Sequence, residues 1–242
     1  MICAARGAWS LKAMRARQCM RLRMRNLSLW LGLAAVLGAG TARAGLPLPP
    51  TDPWNELPVA TLETKPANAL KLGSVTVWLE FNTLAEVMRV AGVAEIAHFE
   101  DDKAAFDWIC YDNAALHQRL WFISDTDNGG AQRMVTSVAA QFVYSNSSDG
   151  CALLPKTLSK VALDRGVWLD SSEAELAQKL GEPSGVLRDW RSYYSNHRMV
   201  QPRTTPNEAG EMQDDIAESS YLNLRVEDGH VVQLIAGKMT GY

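Results

Sequence analysis

Four histidines, His98, His117, His197 and His230, are the side chains best suited to move protons near neutral pH. None falls in H-E-x-x-H or another metal-ligand spacing, and each has polar neighbours, as surface histidines do. The run DTDNGG at residues 125–130 opens like a calcium loop. Counting Asp125 as position one places Thr136 where the bidentate glutamate belongs, so a plain turn is expected. Glu100, Asp101 and Asp102 gather carboxylates, but paired acid and base groups need two distinct environments and nothing nearby points to burial. Neither a G-x-S-x-G elbow nor a G-x-x-x-x-G-K-[ST] phosphate loop occurs. No spacing calls for a metal or any other cofactor, and the chain is expected not to be an enzyme. A hydrolase on an unfamiliar scaffold is the alternative that spacing leaves open.

The aromatic residues say more. Trp108 and Tyr111 fall in one strand-like run, Trp121 and Phe122 in the next, and Trp190, Tyr193 and Tyr194 in a third. Side chains alternate across a strand, so some of each set must face away from any covering helix. Exposed Trp and Tyr dominate protein interfaces, and Trp108, Tyr111, Trp121, Trp190, Tyr193 and Tyr194 are therefore the expected partner-binding residues. Core filling competes for each of them singly; a small module with one buried sheet face has less room for all of them.

The chain carrying these residues begins with an export signal by pattern. The basic stretch RLRMRN precedes the apolar run LSLWLGLAAVLGAG and then TARA, where Ala42 and Ala44 form a small-x-small cleavage site. The apolar run is short of the ~20 residues that a membrane span needs. Residues 1–44 are thus an expected signal peptide, with a periplasmic or secreted product starting at Gly45. Before Gly45 all eight charged residues are basic; 24 less 8 leaves 16 basic against 27 acidic, a formal charge of −11. Such a balance opposes phosphate-backbone binding. It either steers in a basic protein or only keeps an exported chain soluble. Cys3 and Cys19 leave with the signal, and in an oxidising compartment the remaining Cys110 and Cys151 are expected to pair. Closing that loop is worth about 4 kcal/mol in the chain-entropy model.

Residues 45–67, rich in proline and containing Trp54, read as an extended arm. Beyond them one local pattern occurs twice. Val77, Trp78 and Leu79 match Val167, Trp168 and Leu169 at an offset of 90; Ala85, Glu86, Val87 and Gly92 match Ala174, Glu175, Leu176 and Gly181 at 89. Thr83 with Glu86, and Ser172 with Glu175, form capping boxes, and Gly92 and Gly181 mark helix ends. Strand runs follow each helix, and in the second copy Asp228-Gly229 supplies a tight hairpin turn. The polar stretch at 199–220 reads as a mobile loop. The expected fold is α+β: two tandem modules, residues 68–150 and 151–242, each a helix packed on an antiparallel three- to four-stranded sheet.

Val167-x-Leu169, Ser172-x-x-Glu175 and Leu180-Gly-Glu-Pro183, then Trp190-x-x-Tyr193, then YLNLRVEDGHVVQLI from Tyr221 form an ordered set. This set resembles the domain of the small lipoprotein of the outer-membrane β-barrel assembly machinery. It is also similar to the secreted β-lactamase inhibitory proteins, which carry two such modules. The likeness covers residues 167–238 and more faintly 77–144. The chain departs from the pattern at Leu169-Asp170, where a glycine is usual, and lacks the lipid-bearing cysteine, which argues against the assembly role. The resemblance implies a protein-binding inhibitor or immunity protein acting on a periplasmic or secreted hydrolase, for which the acidic charge favours a basic one, with an envelope-assembly accessory as the alternative. N-terminal sequencing of the exported protein is expected to return Gly45 first.

Overall fold

The computed structural model describes residues 45–51, 53, 61–126, 130–143, 150–199 and 216–241. The expected signal segment, Trp54, and most of the polar stretch after Met199 lie outside the described residues.

Runs rich in β-branched and aromatic residues form most of the fold. Two short strands, β1 (Ala69–Leu72) and β2 (Val75–Trp78), lead to helix α1 (Leu84–Ala91). Five strands follow: β3 (Ala97–Glu100), β4 (Ala105–Asn113), β5 (Gln118–Asp125), β6 (Ser137–Phe142) and β7 (Ala152–Leu153). Next come β8 (Val161–Leu163), helix α2 (Glu173–Leu180), β9 (Gly185–Leu187), β10 (Trp190–Met199), β11 (Ile216–Glu227) and β12 (His230–Gly241).

The two helices start and stop where the sequence signals. Glu86 N–H donates to Thr83 Oγ1 at 3.2 Å, while Thr83 N–H donates to Glu86 Oε2 at 3.0 Å. Ser172 and Glu175 repeat the reciprocal pair at 2.9 and 3.3 Å. The caps at Gly92 and Gly181 donate to Met88 O and Ala177 O. Asp228 and Gly229 both have positive φ, 51° and 79°, as a two-residue type I′ hairpin requires.

The expected pair of helix-on-sheet modules is overturned. Among the described residues strand outweighs helix by 48% to 12%, and one nine-stranded sheet runs β3-β4-β5-β6-β12-β11-β10-β9, with β7 beside β4. All its pairings are antiparallel except β4 with β7. The deciding contact is β6 with β12, five residue pairs from Ser137↔Gly237 to Gln141↔Gln233. Kept as separate modules, β6 and β12 would each present an edge of unpaired N–H and C=O groups; joining satisfies both. The strands ahead of the two helices join as well: β8 pairs β1 in a three-stranded sheet, β2-β1-β8.

One face of the large sheet carries the main core. Ile109, Tyr111, Leu120, Phe122, Val138, Leu222, Leu224 and Leu234 pack there against Leu84, Val87 and Leu176 of the helices and Leu70, Leu72 and Leu163 of the small sheet. A charged group ties the arm to this body. Lys65 pairs with the buried Glu218 of β11, and Lys238 lies 3.5 Å from both Glu218 and Glu80. Burial raises the Glu218 carboxyl, but the two lysines outweigh it and hold the group below the ordinary glutamate value.

Leu222 is fully buried in this common core. Leu222→Ala is expected to cost about 3 kcal/mol of stability. Because the halves share one sheet, hydrogen exchange should show lost protection in β5 as well as in β11; loss confined to β9–β12 would mean the two sets of strands unfold separately.

Candidate functional site

The strand alternation that sends Ile109, Tyr111 and Phe122 into the main core sends Trp108, Cys110 and Trp121 to the opposite face. There they form a second cluster with Ala139 and Ile235, to which no helix residue among the described ones contributes. A row runs across the sheet through Cys110, Trp121, Ala139, Ile235, Asn223 and Ser192, each opposite the next.

Trp108 and Trp121 are nonetheless only 3% and 1% exposed. The cover is the start of the arm. Pro47 O accepts the indole N–H of Trp108 at 3.1 Å and that of Trp121 at 3.0 Å, using both lone pairs of one carbonyl. Leu46 packs into the same cluster. The Cys110–Cys151 disulfide holds the neighbouring segment against this face. At Gly150 an added Cβ would lie 3.2 Å from Leu46 Cδ2. Further along, Gln233 Nε2 donates to Thr51 O at 3.4 Å. Leu62 N–H donates to Tyr194 O at 2.7 Å on β10. Phe99, Phe106 and Trp108 continue the aromatic surface toward the sheet edge, with ring centroids 5.1 and 5.5 Å apart. On β12, Gly237 leaves room for Tyr221, whose ring would stand 2.4 Å from a Cβ at that position.

The expected binding residues divide between the faces. Trp108 and Trp121 meet at Pro47. Trp190 and Tyr194 are half-buried on the same face at its far end, opposite Arg225 and Tyr221, and Tyr194 Oη lies 3.2 Å from Ser219 Oγ. Tyr111 and Tyr193 point the other way, into the main core. Burial pushes both hydroxyls up to about 12, and Tyr111 Oη donates to Gly92 O at 2.6 Å. Pro47, Leu46, Gln233 and Tyr221 were not anticipated. The signal for Leu46 and Pro47 was the Pro-rich composition of 45–53, which marks an extended segment but not where it lands, and so does not point to Gln233 or Tyr221.

The titratable residues form ion pairs. Asp107 Oδ1 lies 2.8 Å from His98 Nδ1, Asp107 Oδ2 accepts from Arg133 Nε, and Glu100 Oε2 lies 3.5 Å from His98 Nε2. With a carboxylate at each ring nitrogen, the protonated form of His98 is favoured. Hydrogen bonds to Asp107 and then Glu100 raise it above its ordinary value. Burial alone raises the Asp107 carboxyl, but the bonds from Arg133 and His98 outweigh it and hold it low. Asp101 accepts from the backbone N–H groups of Lys103 and Ala104, both at 2.8 Å, so the acidic run is a turn. His230 Nδ1 lies 3.3 Å from Asp170 Oδ1, and His117 is exposed. Among the described residues no group of three His, Cys, Asp or Glu could hold a metal ion. The middle of the DTDNGG run, 127–129, lies outside them.

No protein-family model, curated protein or solved structure matches this chain.

The His98 pair has a definite pH signature. Because its pKa is raised on folding, the stabilisation is complete below the unfolded value of about 6.5 and is lost as pH rises through the folded one. Wild type minus His98→Gln in unfolding free energy is therefore expected to be larger at pH 5.5 than at pH 8.5, by denaturant titration.

Proposed function

We propose that this chain is an exported, non-catalytic protein-binding module that holds a partner on the aromatic face of its sheet, and that it neutralises a periplasmic or secreted hydrolase. The observation that carries this is the double hydrogen bond from Trp108 and Trp121 to the Pro47 carbonyl. A face that grips main chain through two indoles has the chemistry of a binding surface, and Trp190 and Tyr194 extend it across the sheet. Interface anchors are enriched in Trp and Tyr because they combine a large apolar body with a polar tip.

Charge supports a basic partner. The formal charge of −11 on residues 45–242 speeds encounter with a positive protein and makes binding salt-sensitive. The resemblance of residues 167–238 to the secreted β-lactamase inhibitory proteins points to the same class of target.

Immobilised residues 45–242 are expected to capture from periplasmic and secreted extracts a basic hydrolase that high salt releases, and to inhibit it without turnover. Trp190→Ala and Tyr194→Ala should weaken that capture by about tenfold or more. Outer-membrane assembly proteins as the captured species would replace the inhibitor reading with the envelope-assembly one.

A further inference from the structure

Residues 45–51 lie on the Trp108–Trp121 face. The segment has neither strand nor helix, and the sequence GLPLPPTDP from Gly45 carries four prolines in nine residues. Three hydrogen bonds from the sheet's side chains reach its polar groups, two at Pro47 O and one at Thr51 O, and all three are donations to main-chain carbonyls. Leu46 supplies the apolar contact, while Leu48 is 55% exposed. We infer that the Trp108–Trp121 face is a recognition site for an extended Leu-Pro segment of a partner protein, and that residues 45–51 are its built-in, displaceable occupant. This rests on the protein-binding reading above and names the partner's chemistry.

The physical case has three parts. Proline fixes φ and lacks an N–H, so a Pro-rich segment is already extended and loses little entropy on docking; its carbonyls remain the groups to recognise. Indole N–H is a donor with no acceptor capacity, so two indoles aimed at one point select a carbonyl rather than an N–H. The apolar part of the site receives Leu46, which packs against the same cluster as Cys110 and Cys151, and a side chain at Gly150 would meet it at 3.2 Å. Aromatic-lined grooves that donate to prolyl carbonyls are a recurrent way of binding Pro-rich segments.

An occupied site binds in trans with an affinity reduced by the fraction of time that it is free. Fluorescence anisotropy of a labelled GLPLPPTDP peptide against residues 45–242 is the measurement. Leu46→Ala with Pro47→Ala is expected to tighten peptide binding about tenfold, because it weakens the internal competitor. Trp108→Phe with Trp121→Phe, added to the arm variant, should abolish binding, provided that cooperative unfolding shows that the variant still folds.

Three results would overturn the inference: equal affinity for the wild type and the arm variant, no binding by a folded arm variant, or equal binding of the proline-free control GLALAATDA. A wild-type dimer dissolved by the peptide would also overturn it, since the occupant would then be the arm of a second copy. The two readings fail separately. A hydrolase captured normally by the Trp108→Phe, Trp121→Phe protein sinks this inference and leaves the binding module. Peptide binding without any hydrolase leaves the site and removes the inhibitor role.

Discussion

The antiparallel pairing of Ser137–Gln141 with Gln233–Gly237 is the constraint on which the remainder of the molecule depends. Backbone N–H and C=O groups left at a strand edge and away from water are costly, and both of these strands carry buried residues on both faces: Val138, Ala139 and Ala140 in one, Leu234, Ile235 and Ala236 in the other. Pairing them satisfies both edges at once. It also aligns the side-chain rows of four strands on either side, so that an apolar row on one half continues into the other.

A sheet this wide has two faces to cover, and the chain covers them by different means. Helices α1 and α2 and the small sheet close one face over a large aliphatic core. The N-terminal ends of the helices are fastened to the sheet in matching ways: Glu80 N–H and Asn82 O bond to Val135, and Asp170 N–H and Ser171 O bond to Val231. Among the described residues the other face receives no helix residue in its cluster, and the first turnless stretch after Gly45 lies on its aromatic end. The arm thus covers the aromatic end of this face, held by two indole donors to its Pro47 carbonyl and by Leu46 packed into the cluster.

The repeated pattern shows how identical local signals meet different surroundings. Trp78 and Trp168 occupy equivalent positions, yet Trp168 is 6% exposed with its indole N–H on Gln118 Oε1, while Trp78 is 50% exposed. The same divergence separates Trp108 and Trp121, which the arm covers, from Trp190 and Tyr194 at the opposite end of the face. Titratable groups follow the electrostatics of their neighbours: His98, suited by type to proton transfer, sits between two carboxylates and serves an ion-pair cluster.

The sequence alone determined what is decided within a few residues. Capping boxes at Thr83 and Ser172, helix stops at Gly92 and Gly181, and the Asp228-Gly229 turn are set by hydrogen bonds that reach no more than four residues along the chain. The Cys110–Cys151 disulfide also follows from the sequence, because once the segment before Gly45 is set aside no other cysteine remains. Tertiary structure decided that β6 pairs with β12, that Tyr111 and Tyr193 face the core, and that Pro47 lands between two tryptophans. Period-two alternation declares two faces without saying what covers each, and a strand edge carries no label for a partner nearly a hundred residues away. Those choices are made by which distant edges and surfaces fit, and only the folded chain brings them together.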